Sequence, residues 1–249
     1  MPAPILHIAL SLLMLPFLPG KNHREFILGA SFPDIRYLGV IERRVSHKAH
    51  PSWHSIEKEQ SSFRAGMEFH ALVDVMHDEY MARRNVYGLL PGECRKSPNY
   101  LKFFEDMLIY HTIENTMWRS IAGYFDEILK EELALVQNID AIKIWHSHIK
   151  QYICIPPTKH SIQNLLNVEL PTWYGMFAKI PIKANACYIS SVFARNVPKL
   201  VTDKRLCAYI FEFYNQFSQY LGIQENTHIE CSLKRPFIAS KVVAAYNNG

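Results

Sequence analysis

The 249 residues carry 27 Lys and Arg against 23 Asp and Glu, a formal charge of +4 that is too mild and too dispersed for a nucleic-acid tail. With 49% apolar and 20% charged residues the chain is globular rather than disordered, and it is long enough to bury a sizeable core. Its five cysteines, at 94, 154, 187, 207 and 231, are odd in number and form no Cys-x-x-Cys pair, which excludes a disulfide framework and a thiolate zinc knuckle and fits a reducing cytoplasm.

The first segment, 5 to 18, is apolar. At about 14 residues it falls short of the roughly 20 that a spanning helix needs. It has neither a positive n-region nor a small-x-small cleavage site, so a buried first helix is expected over 4 to 17 rather than a signal peptide or a membrane span. Were it cleaved, His7 would leave with it. A short helix over 23 to 28 then leads into Gly29-Ala30-Ser31-Phe32-Pro33-Asp34, where Pro33 keeps its predecessor out of the helical region. Residues 40 to 52 read as a polar loop holding Arg43, Arg44, His47, Lys48 and His50.

Apolar residues at helical period predict a long helix over 54 to 84, a break at Gly88 and Pro91-Gly92, and a second long helix over 98 to 123. Shorter helices are expected over 124 to 137, 139 to 154, 161 to 166, 171 to 191, 199 to 221 and 237 to 247. Strand patterns are scarce. The expectation is one all-α domain over 1 to 249, with candidate site residues in 1 to 120 and packing helices beyond.

Chemistry-bearing residues concentrate in the first half. His70, Asp74 and His77 stand at i, i+4 and i+7, within roughly 60° on one helical stripe, among Phe63, Gly66, Met67 and Val73. A carboxylate on such a stripe is costly unless a cation compensates it. His111 and Glu114, at i and i+3, repeat the pattern on the second long helix, and helix bundles build metal sites from such facing pairs. Taken singly, each has a plainer reading: core histidines with Asp74 paired to an arginine, a surface His/Glu pair, or Asp34 as a helix cap.

In order, His7, Pro33-Asp34, Ser46-His47, Phe69-His70-Ala71-Leu72-Val73-Asp74 and His111-x-x-Glu114 resemble the zinc-dependent phospholipase C family, related in fold to the helical S1/P1-type nucleases. The resemblance covers residues 1 to 120. It implies an all-α bundle that binds one to three zinc ions. Asp34, His47, His70 and Asp74 would hold one zinc, His7 with Asp74 would contribute to a second, and His77, His111 and Glu114 would hold another. It further implies hydrolysis of a phosphoester, phospholipids among the candidates, by attack of a metal-bound hydroxide on phosphorus. Asp34 would serve catalysis as well as metal binding, and Arg36, Arg43 or Arg44 would grip a phosphate oxygen.

Two other readings stay open. His47, His77 and Asp78 with a later acid such as Asp126 or Asp140 would fit an HD-type phosphohydrolase. A non-catalytic all-α protein would use its aromatic-rich later helices, 188 to 220, as a partner surface.

Overall fold

A computed structural model of the chain describes residues 3–96, 99–167 and 176–223. The fold is all-α, with no strand among the described residues. Helix α1 (Pro4–Met14) begins with proline in its first turn, where no amide is needed, and passes into a 3-10 turn over Leu15–Phe17. It lies almost wholly buried, and no helix among the described residues is long and apolar enough to cross a membrane.

Helix α2 (His23–Ser31) starts at Asn22, whose side chain accepts from the Glu25 amide at 3.1 Å. It runs three residues past the expected end and hands over to a 3-10 turn, Pro33–Leu38, closed by Gly39 at φ +71°. The expected loop over 40 to 52 contains one helical turn, α3 (Arg43–Ser46). The helix expected over 54 to 84 is two helices, α4 (Trp53–Lys58) and α5 (Ser62–Arg83). The Ser61 side chain accepts from the Arg64 amide at 3.2 Å, which starts α5 afresh and makes the break.

A short α6 (Val86–Leu89) follows, then α7 (Asn99–Tyr110) and α8 (Asn115–Tyr124). These last two replace the single helix expected over 98 to 123. Tyr110 gives its carbonyl to the Trp118 indole at 3.0 Å, and the Thr112 hydroxyl takes the Ile109 carbonyl at 2.7 Å. Side chains thus satisfy the terminal carbonyls that another helical turn would have used.

The remaining described helices are α9 (Lys130–Leu135), α10 (Ile139–Ile153), α11 (Lys159–Leu166), α12 (Met176–Thr202), α13 (Lys204–Asn215) and α14 (Phe217–Tyr220). The helix expected over 237 to 247 lies outside the described residues. One buried apolar cluster runs from Ala3 to Phe217, so the later helices pack on the same core as the first ones.

The pair α2 and α5 fixes the frame of this core. A Cβ added at Gly29 would stand 2.0 Å from the Phe63 carbonyl oxygen, and one at Gly66 would stand 2.1 Å from that of Phe26. The two backbones therefore touch, each through the other's glycine. The Ser62 hydroxyl accepts from the Asn22 amide at 2.8 Å and ties the starts of the two helices together.

Candidate metal centre

That contact delivers the end of α2 and the 3-10 turn behind it against the middle of α5. His70 Nδ1 lies 2.8 Å from the Ala30 carbonyl oxygen, to which it can only donate. The next carbonyl along, that of Ser31, accepts from the Trp145 indole of α10 at 3.0 Å and holds the turn before Asp34 in place. His47, on the residue after α3, has Nδ1 bonded to the Ser46 hydroxyl at 2.8 Å. The loop around it is tied down by buried Glu68 of α5, which accepts from Lys48 Nζ at 2.8 Å, from the Ser52 amide at 3.3 Å and from the Ser55 hydroxyl.

From the other side, α1 brings in His7. Its first amides are anchored by buried Asp106 of α7, whose oxygens accept from Ile5 N at 3.1 Å and Leu6 N at 2.8 Å. Burial pushes the Asp106 carboxyl up to about 8, while these two amides pull the other way.

His7, Asp34, His47, His70 and Asp74 meet at one place, none of them more than 8% exposed. Ligand-type atoms of His7, His70 and Asp74 lie within 4.8 Å of one another, and so do those of Asp34, His47 and His70. The His7 and His70 rings stack at 3.9 Å, 9° from parallel, with His47 edge-on to His70. Asp74 stands at the junction: Oδ1 is 3.4 Å from His7 Nε2, while Oδ2 is 3.5 Å from His47 Nε2 and 3.8 Å from His70 Nε2.

None of these is a hydrogen-bonding distance with the required geometry. Asp34 Oδ1, both Asp74 oxygens and Nε2 of all three histidines are buried without a hydrogen-bond partner. Leaving even one buried polar atom so costs about 1–3 kcal/mol, and six at one point call for a shared partner. In a neutral His70, with Nδ1–H given to Ala30, the Nε2 lone pair faces a carboxylate oxygen. A cation between them removes that repulsion.

Protonation points the same way. Burial, with His70 beside it, pushes His7 down to about 4, and burial also lowers His47. Burial opposes ionisation of Asp74, but His47, His7 and His70 outweigh it and hold the carboxyl far below the usual carboxylate range. Neutral His7 and His47 beside an ionised Asp74 are in the state that metal binding requires, and in His70 and His47 the second nitrogen is held by a carbonyl or hydroxyl, as protein groups orient ligating imidazoles. The donor set fits a zinc-type ion. Because the His70 Nδ1 is committed, His70 has one nitrogen to offer. The two Asp74 oxygens face different histidines, so this carboxylate is the group able to serve two ions.

The three residues expected to hold another zinc, His77, His111 and Glu114, are not brought together. His77 is buried on the same face of α5, but seven residues from His70 is about 10.5 Å along a helix axis. Its Nε2 pairs instead with Glu105 of α7 at 2.8 Å, its Nδ1 lies 3.4 Å from Asp78 Oδ1, and Glu105 raises His77 against the effect of burial. His111 and Glu114 fall in the break between α7 and α8, so they share no helix face. The His111 ring lies edge-on to Tyr110, and Glu114 is exposed with Thr116 donating to it at 3.4 Å. The arrangement thus does not gather His47, His77 and Asp78 around one point, and Asp126 is paired with Lys150 on the surface.

Of the expected phosphate-binding residues, Arg36 lies beside the cluster, with Nη2 3.7 Å from Asp34 Oδ1 and donating to the Tyr37 hydroxyl at 2.8 Å. Arg43 is exposed on α3, close enough for its charge to lower His47, while Arg44 pairs with Glu42. Sequence reasoning missed Glu105 and Asp106. Adjacent acids within the apolar run 100 to 110 were the available signal, since buried acids of this kind need partners. The chain matches no known protein-family profile, no curated protein and no solved structure.

Proposed function

We propose that the protein is a metal-dependent phosphoester hydrolase whose zinc-type centre is held by His7, Asp34, His47, His70 and Asp74. The observation that carries this reading is the set of six buried, unbonded ligand atoms converging from α1, the 3-10 turn, the α3 loop and α5. The ordered motifs that resemble the zinc-dependent phospholipase C family supply the reaction class.

When bound, the metal supplies Lewis acidity, neutralising phosphate charge and making water a nucleophile near neutral pH. The chain's own groups do the rest. Asp74 and the three imidazoles would hold the centre; the Ala30 carbonyl orients His70 and the Ser46 hydroxyl orients His47. Asp34 would hold the metal through one carboxylate oxygen and, through the other, take the proton of the attacking water as the water oxygen bonds to phosphorus. The P–O ester bond breaks, and the leaving oxygen is protonated from solvent. Arg36, across from Asp34, offsets charge on a phosphoryl oxygen.

The test is hydrolysis of p-nitrophenyl phosphate, bis(p-nitrophenyl) phosphate and a short-chain phosphatidylcholine by zinc-loaded protein. At least one should be cleaved, with the activity abolished by chelator and restored by zinc. Failure to cleave any of the three by a zinc-loaded protein would remove the hydrolase reading.

A further inference from the structure

His7 differs from the other two histidines of the cluster in how its ring is held. His70 gives its Nδ1 proton to the Ala30 carbonyl, and His47 has Nδ1 bonded to the Ser46 hydroxyl. Neither nitrogen of His7 has a hydrogen-bond partner among the described residues. Metal–ligand distances must hold to within about 0.2 Å. Placing the His7 ring therefore falls to the backbone that carries it and to the His70 ring stacked on it.

Helix α1 does not fix that backbone by itself. Its N-cap is Ala3, which offers no side-chain acceptor, Pro4 brings no amide, and the first turn contains no acid. Ile5, Leu6, Ile8 and Leu10 are buried by apolar contact, which is non-directional. The two amides ahead of His7 go instead to Asp106, one to each carboxylate oxygen, at 3.1 Å from Ile5 and 2.8 Å from Leu6. The next amide, that of His7, reaches the Ala3 carbonyl at 3.5 Å. Asp106 is fully buried on α7 and serves as the missing cap of α1, a carboxylate at the positive end of the helix supplied from 100 residues along the chain.

We infer that Asp106 is the positioning residue of His7, doing through the backbone of α1 what the Ala30 carbonyl does for His70 and the Ser46 hydroxyl for His47. This rests on the metal-site reading above. Because Asp106 acts through His7, its contribution to metal affinity vanishes where His7 is absent.

The test measures the zinc affinity of the full chain, by competition with a chelator, for wild type, Asp106→Asn, His7→Ala and the double variant. Asparagine keeps one oxygen for one amide and turns its own NH2 toward the other, so it loosens the grip at nearly constant volume. Asp106→Asn should weaken zinc binding by about tenfold, the lower end for groups that orient metal ligands, and should change nothing further once His7 is alanine. Equal weakening in both backgrounds marks a structural role and overturns the inference while leaving the metal site standing. So does either single variant that binds zinc as tightly as wild type.

A second arm uses wild type alone and decides the matter should Asp106→Asn not fold. Coupling between the two grips on α1 is reciprocal, so zinc should slow hydrogen exchange at the Ile5 and Leu6 amides by more than at those of α13, which contributes no residue to the cluster. An equal change at both places overturns the inference. Wild type that takes up no zinc overturns the inference and the metal site together.

Discussion

Asp74→Ala is expected to reduce zinc affinity by more than about a hundredfold, since loss of groups merely supporting metal ligands already costs about 10- to 100-fold. Both Asp74 oxygens are buried and unbonded, and each faces a different side of the histidine cluster, so no neighbour can replace them. Chelator-sensitive hydrolysis should fall with the metal. Asp78→Ala, four residues on and more than half exposed, should leave both unchanged. The pair also separates this site from an HD-type arrangement, which requires the reverse ranking. Zinc titration of the two purified variants, beside wild type, reads the difference directly.

Gly66→Ala, like Gly29→Ala, should be among the most damaging single methyls at the described glycines. The added carbon would lie 2.1 Å from the Phe26 carbonyl oxygen and 2.8 Å from the Ala30 nitrogen, both backbone atoms that cannot swing aside. Overpacking typically costs about 1–3 kcal/mol, and a backbone clash from which neither helix can retreat belongs at or above the top of that range. The same displacement would carry Ala30 away from His70 and move the turn holding Asp34. Thermal melts should therefore show a large drop, together with weakened zinc binding. Gly20→Ala, whose added carbon meets nothing within 4 Å, is the control. A Gly66→Ala protein as stable as wild type would contradict the packing of α2 on α5.

The helical class was legible because apolar periodicity is a local property, and the core of the candidate site was legible because Asp34, His47, His70 and Asp74 each sit in a short motif. His7 came from order along the chain, since nothing in its apolar surroundings marks it as different from a core histidine. The failures share a cause. His77 lies on the predicted stripe, but angular agreement says nothing of the distance along the axis, and its partner Glu105 is 28 residues away on another helix. His111 and Glu114 were assigned to one helix that ends at Tyr110, stopped by a Trp118 indole bond that no local propensity encodes. The glycines were visible but their purpose was not: Gly29 and Gly66 are small because two separate helices meet there.

The central claim is that the buried convergence of three histidines and two aspartates is a metal centre, and metal content tests it most directly. Protein purified without chelator and dialysed against metal-free buffer should retain at least one transition-metal ion per chain by mass spectrometry, and its melting temperature should fall when that ion is stripped and recover when zinc is returned. Protein that holds less than one ion per chain, and whose melting temperature does not respond to zinc or manganese, would contradict the account.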